Sequence, residues 1–328
     1  MGADSKIEWT HHTFNPWRGC TKVSEGCKFC YALDLSKRNP AVLGIWGPKG
    51  TRVVAAESYW RQPLKWNKAA EQAGERHRVF CASLADVFEG PETMPSGAWP
   101  AVEAARRRLF ELILDTPHLD WLLLTKRPQN VLRYSPMRDE TGRDWHRDGW
   151  PANIWLGTSV ENQAAADERI PHLLRVPARV RFLSCEPLLG PVDVSRWLLA
   201  GFPAHIDRDG RAHGAPLNIH WLIAGGESGG HARPMHPAWA RSLRDQCQAA
   251  GVAFHFKQHG EWMSEAAIPH DAPANSVEPE QARWMALDGS TVHVGDGVMR
   301  RGDALVCRVG KKAAGRSLDG RTWDEVPL

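Results

Sequence analysis

A chain of 328 residues with 42% hydrophobic and 24% charged side chains is long enough to bury a large core, and a formal net charge of +3 excludes a globally basic, polyanion-coating protein. No apolar run approaches the ~20 residues of a membrane helix. The opening MGADSKIEW has no basic stretch followed by an apolar one, so no secretory leader and no membrane partner are expected, and the cytoplasm is the expected compartment.

The first feature along the chain is the loop NPWRGCTKVSEGCKFCYA, residues 15–32, which holds three of the seven cysteines. After it come short apolar runs: VFCASLADVF (79–88), WLLLTKR (121–127), IWLGTSV (154–160), VRFLSCEPLL (180–189), HWLIAGGES (220–228) and FHFKQHG (254–260). Their length and β-branched or aromatic content read as buried parallel strands. Helical spacing separates them at Val102 to Leu114, Glu161 to Leu174 and Pro237 to Ala250. With a first strand near the cysteine loop, this alternation predicts an α/β fold, a partial (β/α) barrel with chemistry at the C-terminal strand ends. Those ends are polar: Ser83 and Asp86, Thr125 and Lys126, Thr158 and Ser159, Cys185 and Glu186, Glu227 and Ser228, Lys257 and Gln258.

Tyr134 to Ala152 and Gly201 to Asn218 read as insertions, and Met263 to Arg283 as a linker. The expected division is a barrel over 1–262 and a linker with a small β-rich C-terminal appendage over 263–328. Basic residues cluster at Arg106, Arg107 and Arg108 and again between Arg300 and Arg321; a solvated face is the plainer reading of each, a nucleic-acid contact the sharper one. The 16 tryptophans are expected mostly in the core.

Cys20, Cys27 and Cys30 form C-x6-C-x2-C, and several chemistries compete for them. A structural zinc would take a fourth ligand, for which His11 or His12 is at hand. A redox pair leaves Cys20 without a use, and buried unligated cysteines do not suit a run rich in Gly and Lys. An iron–sulfur cluster held by three thiolates would leave one iron open to a substrate or cofactor, which gives the missing ligand a purpose.

The loop resembles the cluster loop of the radical S-adenosylmethionine (SAM) superfamily, with Phe29 in the aromatic place before the last cysteine. NPWRGC and CYA look most like the spore photoproduct lyase branch, although six residues, not three, separate the first two cysteines. LLLTKRPQNVLR, LGTSVEN with ADERIPHL, SCEPLLGP, AGGESG and FKQHGEW extend the likeness over nearly the full chain, toward a phage- and prophage-associated family of radical-SAM-like proteins.

The resemblance implies a 4Fe-4S cluster on Cys20, Cys27 and Cys30, its open iron chelating SAM. It implies Lys126 on the SAM carboxylate, Ser83 and Ser159 at the polar end of SAM, and Tyr31 against the adenine. Asp86, Arg127, Glu186, Glu227 and Lys257 are substrate-side candidates, Glu186 and Glu227 being taken as catalytic. Cys81 and Cys185 are candidates for returning a hydrogen atom, with a buried structural role as the plainer alternative. The implied reaction is radical chemistry on DNA or a modified thymine nucleotide, an isomerisation in phage thymine hypermodification, with an external electron donor. A thymine photoproduct repair lyase is one alternative, and a non-catalytic metal-bearing DNA-binding protein is the other.

Overall fold

The computed structural model describes residue 5, residues 7–138, 142, 144–198, 218–264 and 282–327, and the backbone of 205–206 and 212–213. The expected Gly201 to Asn218 insertion and Met263 to Arg283 linker therefore lie largely outside the described residues, as does part of Tyr134 to Ala152.

Seven strands form the main sheet: β1 (His12–Thr13), β2 (His77–Cys81), β3 (Leu119–Thr125), β4 (Ile154–Ser159), β5 (Val180–Cys185), β6 (Trp221–Gly225) and β7 (Ala253–Gln258). They lie side by side in chain order, parallel throughout, as in a partial (β/α) barrel. The principal helices are α1 (Tyr31–Arg38), α2 (Gln62–Ala73), α3 (Trp99–Leu114), α4 (Gln163–Leu174) and α5 (Pro237–Ala250). The six apolar runs became β2 to β7, and the helical spacings became α3, α4 and α5. The first strand is two residues long, because Pro16 and the cysteine loop interrupt the run after Thr13.

The chain divides into two compact units: residues 1–158 with 169–182 and 203–217, and residues 159–168 with 183–202 and 218–328. In the first, β1 is registered on β2 with His12 opposite Val79 and Thr13 opposite Phe80. Phe14, fully buried, stacks on Tyr59 at 4.9 Å and meets Trp60 and Trp121 edge-on. Each aromatic ring of this kind removes ~150–250 Å² from water, so at ~25 cal/mol per Å² it contributes several kcal/mol before entropy. Trp17, Trp121, Trp145, Trp221 and Trp239 are all fully buried, so indoles fill the cores of both units.

The basic run on α3 divides between one buried arginine and two that reach solvent. Arg106 is buried under the rings of Trp17, Trp99 and Tyr134 and donates to the carbonyls of Val87 and Glu89. Arg107 pairs with Glu103, and Arg108 pairs with Glu57 over the ring of Trp60. Each guanidinium meets a carboxylate, Glu103 serving both Arg106 and Arg107.

In the second unit, four antiparallel strands follow the barrel: β8 (Trp262–Ser264), β9 (Ala282–Met285), β10 (Thr291–His293) and β11 (Ala304–Arg308), in the order β8-β11-β9-β10. This is the β-rich C-terminal piece expected from the sequence. The chain then returns to β7. The Phe256 amide donates to the Trp323 carbonyl at 2.9 Å, the Phe254 amide to the Glu325 carboxylate at 2.9 Å, and Trp221 Nε1 to the Glu325 carbonyl at 2.8 Å. The tail thus covers an edge that would otherwise offer unpaired backbone groups. Three residues of the second basic cluster have partners in this unit: Arg316 pairs with Asp324, Arg308 donates to the Gly229 and Gly230 carbonyls, and Arg321 lies over Trp323.

Burial holds the His11, His236 and His259 imidazoles below their ordinary pKa. For His11, Arg78 and His77 add to the effect of burial. The unfolded chain takes up these protons below about pH 6.5 while the folded chain resists them, so stability is lost as pH falls through that window. The melting temperature is therefore expected to fall between about pH 7.5 and 5.5, with a shallower fall in a His259→Asn variant. An unchanged slope in the variant would mean that this ring takes up its proton equally in the folded and unfolded chain.

Candidate functional site

The cysteine loop belongs wholly to the first unit, and its approach to Cys20 is fixed by backbone. Asn15 Oδ1 accepts from the Leu84 amide at 2.7 Å, and Asn15 Nδ2 donates to Ser83 Oγ at 3.1 Å. Trp17–Arg18 pair antiparallel with Val53–Val54. Gly19 then adopts φ +112° and donates to the Leu84 carbonyl at 3.0 Å. A Cβ at Gly19 would come within 2.5 Å of the Thr51 carbonyl, so only glycine fits where the chain turns to present Cys20.

Four buried charges hold the next two residues. Asp86 accepts from Arg127 Nη1 at 2.9 Å, from Thr125 Oγ1 at 2.6 Å, and from the amides of Phe88 and Lys126 at 3.0 and 3.1 Å. Glu89 takes a fork from Arg52, Nε to Oε2 at 2.8 Å and Nη2 to Oε1 at 2.7 Å, with both side chains wholly buried. Arg127 lies 3.6 Å from Glu89, which closes the chain of charges. All four converge on the loop. Arg127 Nη2 donates to the Thr21 carbonyl at 2.8 Å and Nη1 lies 3.7 Å from Cys20 Sγ. The Thr21 amide donates to Glu89 at 3.1 Å, and Arg52 Nη2 to Thr21 Oγ1 at 2.8 Å.

Burial alone would raise the Asp86 carboxyl, but Arg127 and the Thr125, Phe88 and Lys126 hydrogen bonds hold it below the ordinary range. Burial pushes the Cys20 thiol up to about 12; Arg127 pulls against this and Glu89 and Asp86 add to it. Asp86 and Arg127, substrate-side candidates in the sequence, therefore serve here as anchors of the loop.

The six residues between Cys20 and Cys27 form an exposed arc closed by a 3-10 turn over Glu25–Cys27, and Lys22 Nζ donates back to the Lys28 carbonyl at 3.0 Å. Cys27 and Cys30 are half-buried, and Cys30 is the N-cap of α1. Tyr31 OH donates to the Ser83 carbonyl at 3.0 Å, so Tyr31, Ser83 and Asn15 form one connected group beside the loop. Lys126 is half-buried and its amide is bound by Asp86.

The donor set distinguishes a lone ion from a cluster. Among the described residues no three His, Cys, Asp or Glu side chains converge closely enough to hold one metal ion. Neither histidine proposed as a fourth zinc ligand belongs to the loop's surroundings: His11 Nδ1 accepts from the Arg78 amide at 2.8 Å, and His12 stacks on Trp66 at 4.4 Å. A four-iron cluster takes each thiolate on a different iron, so its ligands need not meet at a point. Three soft thiols on one loop fit that group.

Cys81 ends β2 and Cys185 ends β5; both side chains are fully buried, and burial pushes both thiols up, with Cys247 and Glu161 adding to the rise at Cys185. Ser159, Cys185, Glu186 and Glu227 belong to the second unit. There Glu186 accepts from Lys257 Nζ at 2.8 Å and Gln258 Nε2 at 3.0 Å, a partly exposed polar cluster. Glu227 is buried and held at both oxygens by Arg233, Nε at 2.8 Å and Nη2 at 2.7 Å. A Cβ at Gly226 would fall 1.9 Å from the His259 carbonyl, so the double glycine serves close backbone packing. Ser159 ends β4 and is buried.

Sequence reasoning missed Arg52, Glu89, Thr21, Asn15 and Arg233. Glu89 had a signal, an acid placed between the apolar Val87–Phe88 and the Gly90–Pro91 turn. Arg52 had none, since its partner lies 37 positions away.

The chain belongs to a family described as "Protein of unknown function (DUF5131)", whose profile matches residues 4–327. No curated protein matches the chain. Among solved structures, a double mutant of spore photoproduct lyase with bound AdoMet and dinucleoside spore photoproduct is similar at TM-score 0.42 and 11% identity, over 94% of this chain and 73% of that one. A single mutant of the same lyase is similar at TM-score 0.42 and 13% identity, over 94% and 71%.

The buried charges make a direct prediction. A Glu89→Gln change leaves two buried guanidinium groups facing one carboxylate, so the first unit should lose ~3–5 kcal/mol. Urea unfolding followed by tryptophan fluorescence checks it; a loss below ~1 kcal/mol would mean that water relieves these charges.

Proposed function

We propose that this chain is a radical SAM enzyme in which Cys20, Cys27 and Cys30 hold a 4Fe-4S cluster. The observation that carries the reading is the arrangement of three thiols on one loop, locked at Cys20–Thr21 by four buried charges. When bound, such a cluster supplies reductive cleavage of SAM to methionine and a 5′-deoxyadenosyl radical.

The chain's own residues would then bind and orient. Lys126 takes the SAM carboxylate, Ser83 its polar end, and Tyr31 the adenine. Arg127 acts at a distance by fixing the Thr21 carbonyl, hence the direction of Cys20. Glu186, with Lys257 and Gln258, is the substrate-side polar group, and Glu227 holds its own loop through Arg233. Burial keeps Cys81 and Cys185 as protonated thiols, the form from which a cysteine returns a hydrogen atom. The packed strands exclude water and competing hydrogen donors.

The substrate we infer is DNA or a modified thymine nucleotide, by isomerisation in a phage-type hypermodification or by photoproduct cleavage. The support is the lyase-like opening NPWRGC and ending CYA.

Anaerobically reconstituted protein should be brown and, with dithionite, convert SAM to 5′-deoxyadenosine, measured by liquid chromatography. Cys27→Ala should lose both colour and cleavage. A colourless protein with one zinc per chain, or cleavage that survives Cys27→Ala, would sink the assignment. Incubation of the reduced enzyme with phage DNA, followed by nucleoside mass spectrometry, tests the substrate class.

A further inference from the structure

A cluster reduced from outside needs a surface at which the electron arrives, and the face around the cysteine loop has the composition of one. Between Lys22 and Lys49 the chain carries five Lys or Arg against two Asp or Glu, a net charge equal to the +3 of the whole protein. Lys22, Lys28, Lys37, Arg38 and Lys49 are all exposed; Lys37 pairs with Asp34. Among them stand three exposed aliphatic side chains, Val23 at 42%, Val42 at 50% and Ile45 at 65% of full exposure.

These residues come from segments packed together around the thiols. The Gly47 amide donates to the Cys20 carbonyl at 3.1 Å, which seats the 45–51 turn against the loop. Trp46 and Cys30 pack on the cluster of Ala32, Leu43 and Leu84. Lys22 reaches back to the Lys28 carbonyl across the arc. A phosphate backbone rewards the charges but gains nothing from three exposed aliphatic groups. Apolar residues with a charged rim are the anatomy of a protein-docking face, and complementary charge speeds encounter.

Resting on the reading above, we propose that this face docks an acidic one-electron carrier protein of the flavodoxin or ferredoxin class, beside Cys20 and Cys30. The carrier's acidic rim meets Lys28, Arg38 and Lys49, and Val23, Val42 and Ile45 lie under its centre. One electron passes to the enzyme per docking and the carrier leaves one electron more oxidised.

The test compares wild type with an Ile45→Asp/Lys49→Glu variant, using reduced flavodoxin as one electron source and dithionite as the other. With flavodoxin at low salt, 5′-deoxyadenosine formation should fall about tenfold or more in the variant, and the wild-type rate should fall as salt rises. With dithionite the two proteins should match, which also shows that the variant is folded. Equal flavodoxin-driven rates would overturn the proposal, as would a variant equally slow with dithionite, since the face would then be supporting the loop itself. Loss of duplex DNA in a mobility-shift assay with an intact flavodoxin response would give the face to nucleic acid instead. A wild type inactive with dithionite would sink the radical SAM reading and this proposal with it.

Discussion

The first unit is organised around a buried alternation of charge, Arg52–Glu89–Arg127–Asp86, and the cysteine loop is what that alternation grips. Each ion is desolvated, so each depends on its neighbours; removing one strands another in a low-dielectric interior. That mutual dependence makes the arrangement stiff. Thr21 is bound through its amide, carbonyl and hydroxyl, so the backbone after Cys20 has little freedom. Arg106 extends the same logic, since it donates to the carbonyl of Glu89 from beneath three aromatic rings. Of the three consecutive arginines, Arg106 is the one turned inward to this task.

Between Thr21 and Lys28 the sequence departs from the spacing usual in the superfamily it resembles. Thr21 is clamped, and Lys28 is tied back to Lys22, so the extra residues bulge outward between two fixed ends. Lys22, Val23 and Glu25 are exposed there, while the Ser24 hydroxyl is buried. The Arg52, Glu89 and Arg127 side chains occupy the side of the loop at Thr21.

Much of the barrel was legible because its strands are buried on both faces and announce themselves as short apolar runs; WLLLTKR became β3 and Pro237 to Ala250 became α5 with the expected bounds. The second strand of the first unit's outer ladder, Val53–Val54, was not legible, because two residues carry no periodicity. The three thiols were visible as a spacing. The anchors were not, since an ion pair between Arg52 and Glu89 leaves no trace in local sequence. Glu227 has a partner that no local signal announced: Arg233, six residues on, holds both of its oxygens. In the same way Asp86 and Arg127, read as facing a substrate, face each other.

Everything functional in this account depends on three thiolates leaving one iron open. Electron paramagnetic resonance of the anaerobically reconstituted, dithionite-reduced protein, recorded with and without SAM, tests that directly. The expected result is the signal of a reduced 4Fe-4S cluster whose g-values move when SAM is added, as they would if SAM bound an open iron. A cluster signal unmoved by SAM would contradict the open iron, and no cluster signal in a protein carrying zinc would contradict the cluster itself.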